Sequence, residues 1–107
     1  MITFNKEQQV FHLCNKQISY LIEVEEHGYL AHLYFGKKIN HYSGHYQYVR
    51  DMRSFGPYPE AADHDTFSLD TVMLEYPGYG FGDFREPAYN FKLKDGSRIT
   101  DFRYDSF

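Results

Sequence analysis

The sequence predicts an all-β, mostly antiparallel fold, and three observations support this prediction. Seven short segments are rich in β-branched and aromatic residues, and turn residues bound each of them. Almost nothing shows the apolar period of an amphipathic helix. With 107 residues the chain fits a single domain, residues 1–107. The predicted strands are Ile2–Phe4, Gln9–Leu13, Ile18–Val24, Tyr29–Phe35, Phe67–Tyr76, Tyr89–Lys94 and Arg98–Tyr104.

The third and fourth predicted strands are joined by a short turn, Glu25-Glu26-His27-Gly28. Gly28 lacks a Cβ and can therefore take the left-handed conformation that a tight turn requires. The sequence predicts a hairpin at this point.

The last two predicted strands are expected to form a second hairpin. Tyr89, Phe91 and Leu93 alternate with polar residues, which places the apolar side chains on one face of a strand. The dipeptide Asp95-Gly96 that follows tolerates the positive φ angles of a type I′ turn.

Two stretches are predicted to be loops. Residues 37–65 lose all periodicity and contain glycine and proline among many aromatic residues. Loops of this length inside a compact domain are usually functional or disordered, and aromatic residues are rare in disordered linkers. We therefore expect a docking or site-forming loop there, with a second, shorter loop at Tyr76–Pro87.

Composition excludes several functions. The chain has 11 basic and 15 acidic residues, with a net charge of −4 and no basic stripe for phosphates, so nucleic acid is not an expected partner. No apolar run approaches the roughly 20 residues of a membrane-spanning helix. The single cysteine, Cys14, and the absence of a signal-peptide pattern at the start of the sequence favour a cytoplasmic protein.

The six histidines raise the alternative of a metal site, which the spacing supports only weakly. His41 and His45 would share a face only on a helix, and Ser43-Gly44 lies between them. Asp63, His64 and Asp65 follow later in the same loop. We expect no metal, and we expect His12 and His32 to be half-buried partners of backbone or carboxylate groups.

Carboxylate and aromatic side chains also allow both a functional and a structural interpretation. Glu23, Glu25 and Glu26 cluster at a predicted turn, where solvated charges are the simplest interpretation. No carboxylate pair of the kind a retaining glycosidase needs can be identified. The aromatic residues predict buried interfaces more strongly than a sugar-stacking platform. The candidates for such a platform are Tyr42, Tyr46, Tyr48, Tyr58, Tyr79 and Phe81.

Three runs of sequence resemble a known family. They are GYLAHLYFGKK at 28–38, TFSLDTVMLEYPGYGFGDFREPAY at 66–89 and KLKDGSRITDFRY at 92–104. They resemble the amino-terminal region of glycoside hydrolase family 36, the α-galactosidases. The resemblance implies a partial β-sandwich, or incomplete supersandwich, that supports an enzyme hydrolysing terminal α-galactosides of the melibiose or raffinose type by a retaining mechanism without a cofactor. It places the catalytic aspartates in a barrel that this chain does not contain, so the chain alone is not expected to be catalytic.

The resemblance also implies partners and a site. In the family this domain packs against the barrel, and a loop reaches the active site of a neighbouring subunit. The matching run here is RDMRSFGPYP, which nominates Asp51 and Arg53 as substrate-binding residues, although Met52 occupies the position where relatives carry the acid. Unpaired strand edges predict a homo-oligomer. Asp83 is expected to pair with Arg85. The alternative function is a free-standing galactoside-binding or protein-interaction module.

Overall fold

The computed structural model describes residues 1–44, 46, 48 and 66–107, and its centre is one open antiparallel sheet. The strands are neighbours in chain order, so each pair is joined by a short connection. The described residues contain two short 3-10 helices and no α-helix. Neither helix is long or apolar enough to cross a membrane. The all-β, antiparallel class is confirmed. The strands are β1 (Ile2–Asn5), β2 (Val10–Cys14), β3 (Ile18–Glu25) and β4 (Tyr29–Lys37), and the 3-10 helices are Glu26–Gly28 and Leu69–Thr71.

The predicted hairpin between β3 and β4 is confirmed. Gly28 takes a left-handed φ of 82°, and His27 before it also has a positive φ of 61°. The side chain of Glu25 accepts a hydrogen bond of 3.1 Å from the amide of Glu26, which caps the 3-10 turn.

A β-bulge interrupts the pairing of β3 with β4. Leu21 pairs with Tyr34, while the next residue, Ile22, pairs with His32. Leu33 is therefore the extra residue on β4, and the alternation of its side chains changes phase there.

One face of the sheet is buried and forms the core. Leu21 and Ala31 on this face are fully buried, and the ring of Tyr29 stacks on Phe67 with 5.9 Å between ring centroids. Glu23, which pairs with Ala31, is also buried, with 5% of its surface exposed. The prediction of a solvated Glu23 is therefore wrong, since the register places it on the core side. The buried cluster comprises Tyr29, Ala31, Tyr48, Phe67, Leu69 and Val72.

The predicted strand Phe67–Tyr76 is wrong over most of its length. Thr71 donates from its hydroxyl to the carbonyl of Ser68 at 2.9 Å, and this local bond favours the 3-10 turn over an extended ladder. Only Leu74 forms an isolated bridge, opposite Ala31. This short contact extends the sheet beyond β4.

The predicted C-terminal hairpin keeps its turn but not its strands. Leu93 accepts from the amide of Gly96 at 3.0 Å and donates to Ser97 at 2.9 Å, and of the turn residues only Gly96 has a positive φ, 87°. This is a three-residue loop, and the expected type I′ turn at Asp95-Gly96 is wrong. A two-stranded ribbon is only marginally stable when no second layer covers its apolar face. A turn with two positive φ angles occurs instead at Phe81-Gly82.

Candidate docking site

The two predicted substrate-binding residues, Asp51 and Arg53, lie outside the described residues. The same holds for Tyr58, for His45 and for the run Asp63-His64-Asp65. The metal alternative rested on His45 and this run together with His41. Among the residues that are described, no three histidine, cysteine or carboxylate side chains are grouped as metal ligands. The candidate site is therefore built from the sheet and from residues 66–107.

An ion pair fixes the glycine-rich loop that follows the second 3-10 helix. The carboxylate of Asp83 is 1% exposed, and its two oxygens accept from Nε and Nη2 of Arg85 at 2.8 and 2.9 Å. Nη2 also donates to the carbonyls of Leu69 and Val72 at 2.9 and 2.7 Å. The hydrogen bonds that Arg85 donates to Asp83 raise the pKa of Arg85. The predicted pairing is confirmed. The guanidinium also gives the carbonyl of Leu69, which already accepts from the amide of Val72, a second donor, and it supplies a donor to the carbonyl of Val72 after the 3-10 helix.

A second polar cluster joins the other face of the sheet to the same segment. Glu75 accepts from the hydroxyl of Tyr20, and its other oxygen lies 2.6 Å from Nδ1 of His32. Burial, together with the bond to Glu75, raises the pKa of Tyr20 to about 12. His32 thus pairs with a carboxylate, as the sequence predicted. His12 instead contacts the hydroxyl of Ser19 at 2.8 Å.

Four rings form an exposed surface, which we call the aromatic strip: Tyr76, Tyr89, Phe91 and Phe102. Tyr89 lies at its centre, with ring centroids 5.3 Å from Tyr76, 5.2 Å from Phe91 and 4.6 Å from Phe102. Tyr76, Phe91 and Phe102 are 59%, 50% and 52% exposed. Contiguous exposed rings of this kind are typical of an interaction surface.

Glycine is required where the loop passes under the strip. A Cβ added at Gly78 would lie 2.5 Å from the hydroxyl oxygen of Tyr89 and 2.8 Å from the carbonyl oxygen of Thr100. The backbone at Gly78 therefore approaches the strip more closely than any side chain allows. A cavity of about 110 Å³ lies beside this contact and is lined in part by Tyr29, Tyr89 and Phe102.

The chain is also anchored near residue 107, on the far side of the sheet. The amide of Tyr104 donates to the carbonyl of Gly28 at 2.7 Å, and the ring of Phe107 lies 5.3 Å from Phe11. These contacts hold the C-terminal segment against the turn between β3 and β4.

Sequence reasoning found some of these features. The alternation of Tyr89, Phe91 and Leu93 predicted an apolar face, and the structure leaves Phe91 and Leu93 about half exposed. Of the proposed platform rings, Tyr48 is buried in the core, whereas Tyr79 and Phe81 are exposed. The joining of Tyr76 to Phe102 was missed, because the two residues are far apart in sequence.

An open sheet with one buried face and an exposed aromatic strip defines a class of all-β domain built to pack against a further protein surface. The chain belongs to a family of this kind: the model described as the glycosyl hydrolase family 36 N-terminal domain matches residues 28–107. Resemblance and fold agree, and the recognition made from sequence is confirmed.

Several of the proteins that this chain resembles are named as α-galactosidases. The chain is 44% identical to AgaA of Geobacillus stearothermophilus over 103 residues, covering 96% of this chain and 14% of AgaA. It is 43% identical to Mel36A of Lactobacillus acidophilus over 108 residues, covering 100% of this chain and 15% of Mel36A. The chain therefore spans about one seventh of the length of these relatives.

Solved structures give the same result. AgaB of Geobacillus stearothermophilus superposes with a TM-score of 0.82 at 42% identity, covering 99% of this chain and 14% of that one. The galactosidase domain of the α-galactosidase-sucrose kinase AgaSK gives a TM-score of 0.85 at 37% identity, covering 99% and 15%. These levels of identity support the family as well as the fold.

Proposed function

We propose that this chain acts as the N-terminal docking domain of an α-galactosidase, in which the aromatic strip packs against the remainder of the enzyme. The exposure of Tyr76, Phe91 and Phe102 is the observation that supports this proposal. Variants of AgaA with two substitutions each have been crystallised with raffinose and with stachyose, and such terminal α-galactosides are the proposed substrates of the whole enzyme.

Burying the strip would provide a substantial driving force. An aromatic side chain covers about 150–250 Å² when fully buried, so each half-exposed ring offers roughly 100 Å². At about 25 cal/mol per Å², each ring contributes about 2.5 kcal/mol before the entropy cost of association is subtracted. Three such rings would contribute about 7.5 kcal/mol, and a covalent link between the two domains lowers the entropy cost that this gain must exceed.

In this proposal the domain has no catalytic groups of its own. A retaining glycosidase requires two carboxyl groups about 5–5.5 Å apart, and we assign these to the barrel of the enzyme. The reaction needs no cofactor in this scheme. The single cysteine, Cys14, supports a cytoplasmic location for the enzyme, since cytoplasmic proteins rarely depend on disulfides.

We further propose that the enzyme is a homo-oligomer and that Asp51 and Arg53 contact substrate in a neighbouring subunit. The family-like run around Arg53 supports this assignment. If it is right, Arg53→Ala in the whole enzyme lowers kcat/KM for raffinose, while Lys92→Ala does not. Equal kcat/KM for both variants would overturn the role of Arg53.

A chimaera tests the docking role. AgaA with its matching N-terminal residues replaced by this chain should hydrolyse raffinose and unfold in one thermal transition. Phe91→Ser and Phe102→Ser should lower the unfolding temperature of the chimaera and its activity. The matched control is Lys92→Ser, which alters the same segment at a polar position.

Two results would contradict the proposal. One is a chimaera that unfolds in two independent transitions, because docked domains stabilise each other. The other is an equal effect of Phe91→Ser and Lys92→Ser on the unfolding temperature.

A further inference from the structure

The strand β1 forms one edge of the sheet, and no segment in the described part of the chain covers it. The opposite edge is different. There the amide of His32 on β4 donates to the carbonyl of Met73 at 2.7 Å, and the carbonyl of Leu30 accepts from the amide of Glu75 at 2.9 Å. The segment after the second 3-10 helix thus covers part of the β4 edge, whereas β1 is open along its length.

The hydrogen-bonding pattern shows which backbone groups of β1 are unpaired. The amino group of Met1 donates to the carbonyl of Cys14 at 2.7 Å, and the amide of Cys14 donates back to the carbonyl of Met1 at 2.8 Å. Bonded and non-bonded pairs alternate along an antiparallel ladder, so Thr3 forms the next bonded pair with β2. The amide and carbonyl groups of Ile2 and Phe4 therefore point away from β2 and can pair with a further strand.

The strand β1 also lacks the features that usually protect an exposed edge. Its four residues include no charged side chain and no proline, and its register with β2 runs without a bulge. The side chain of Ile2 is 70% exposed. Natural edge strands commonly carry lysine, proline or a bulge, which prevent pairing with another chain. An unprotected apolar edge is typical of a strand that has a partner.

The sequence of β1 is complementary to itself in an antiparallel register centred on Thr3. In this register Ile2 lies opposite Phe4 of a second copy, and because both carry outward backbone groups, each such pair exchanges two hydrogen bonds. The two apolar side chains share one face, where the ring of Phe4 already lies 4.4 Å from that of Phe11. On the other face Thr3 lies opposite its own copy, and threonine pairs across strands are favourable.

We propose that β1 is a self-association edge, at which two copies of this chain pair antiparallel about a two-fold axis at Thr3 and join their sheets into one. The inference rests on the homo-oligomer proposed above and identifies one of its interfaces. An edge of four residues buries much less than the roughly 800 Å² per partner of a stable interface, so the isolated chain should dimerise weakly, with a Kd of about 0.1–1 mM.

A disulfide test measures the register. Thr3→Cys in a Cys14→Ser background should form a disulfide-linked dimer in a glutathione redox buffer, because the Cα atoms of a non-bonded antiparallel pair lie about 4.5 Å apart. The matched control is Asn5→Cys in the same background. Asn5 lies on the same face as Thr3, but the register places it four residues, or about 13 Å, from its own copy. Equal yields of linked dimer from the two variants would overturn the register.

Sedimentation equilibrium up to about 1 mM measures the dimerisation itself. Ile2→Lys places a charge beside the Phe4 ring of the second copy and should weaken dimerisation by at least about tenfold. The matched control is Phe35→Lys, which changes a 64% exposed residue on the same face at the opposite edge of the sheet and should leave the Kd unchanged.

Two results would overturn this interface. One is an unsubstituted chain that stays monomeric over the whole concentration range. The other is a dimer that Phe35→Lys weakens as much as Ile2→Lys does, because its contact would then lie away from β1. In the second case the homo-oligomer proposed above would stand, with a different interface.

Discussion

Asp83 and Arg85 form a two-bond ion pair across a single intervening residue, and the same guanidinium also reaches the carbonyls of Leu69 and Val72. A loop-forming pair thereby becomes a link between the glycine-rich loop and the core, because Leu69 and Val72 are buried. This link positions the segment that leads into the aromatic strip.

Removing one partner of this pair is expected to destabilise the fold. Asp83→Asn keeps the shape of the side chain but leaves the guanidinium without its buried counter-charge, and we expect a loss of about 2–3 kcal/mol in the free energy of unfolding. Chemical denaturation measures this loss. The control is Asp101→Asn, which weakens the 2.7 Å pair with Arg103; the side chain of Asp101 is 19% exposed against 1% for Asp83, so this change should cost less than about 1 kcal/mol. Equal losses for the two variants would show that the pair with Arg85 has no special structural role.

Removing the hydroxyl of Tyr29 and removing that of Tyr20 should change the stability of the fold in opposite directions. The hydroxyl of Tyr29 is buried and makes no hydrogen bond of normal geometry in the described part of the chain, although Asp101 and Arg103 lie beside it, whereas that of Tyr20 donates to Glu75. Tyr29→Phe should therefore raise the free energy of unfolding by up to about 1 kcal/mol, and Tyr20→Phe should lower it by about 1 kcal/mol. Denaturant titrations at pH 8 measure the free energy of unfolding of both variants. A clear loss of stability in Tyr29→Phe would indicate that its hydroxyl is satisfied, for example by water in the adjoining cavity.

Stability is expected to fall in alkaline solution. Burial raises the pKa of Tyr20 and of Tyr29 to about 12, compared with about 10 in an unfolded chain. The folded state thus holds these protons more tightly, and the resulting stability is fully present below pH 10 and is lost as the pH rises from about 10 through 12. Unfolding free energies measured between pH 8 and pH 11.5 should decline along this range. Tyr20→Phe should flatten the decline, and an unchanged slope would contradict the assignment to Tyr20.

Glycine at position 78 is expected to be irreplaceable. Gly78→Ala places a methyl group against the backbone carbonyl of Thr100, which cannot move without shifting the C-terminal segment. We expect a loss of about 1–3 kcal/mol in unfolding free energy. Gly36→Ala is a matched control, because the atoms it would meet belong to the ring end of Tyr34, which can rotate away. The thermal unfolding temperature should fall for Gly78→Ala and change much less for Gly36→Ala, and similar falls would contradict the close-approach argument.

How far the sequence predicts the structure depends on the range of the interaction that decides each element. Gly28 fixed the turn between β3 and β4 locally, and the pairing of Asp83 with Arg85 needed only the spacing of two residues. Hydroxyl bonds at Ser68 and Thr71 changed a predicted strand into a 3-10 turn, because side chains compete with the ladder.

Longer-range features were less accessible from sequence. His32 was expected to have a carboxylate or backbone partner, but nothing local identifies Glu75, which lies 43 residues away. The prediction of two C-terminal strands was wrong because their stability depends on a covering layer, which the alternation of Phe91 and Leu93 does not reveal. The roles of Asp51 and Arg53 remain predictions.

The bulge at Leu33 allows two residues of β4 that are three positions apart to lie on the same face of the sheet. In an uninterrupted strand, residues three apart point to opposite sides, so a single ring could not touch both. Tyr20 nevertheless contacts His32 at 5.7 Å and Phe35 at 5.8 Å between ring centroids, because the extra residue between them shifts the count by one. Deleting Leu33 would restore the regular alternation of side chains along β4. Either His32 or Phe35 would then point to the face of the sheet opposite Tyr20. A length change of one residue at this position would therefore separate the imidazole from Glu75 or the phenyl ring from Tyr20.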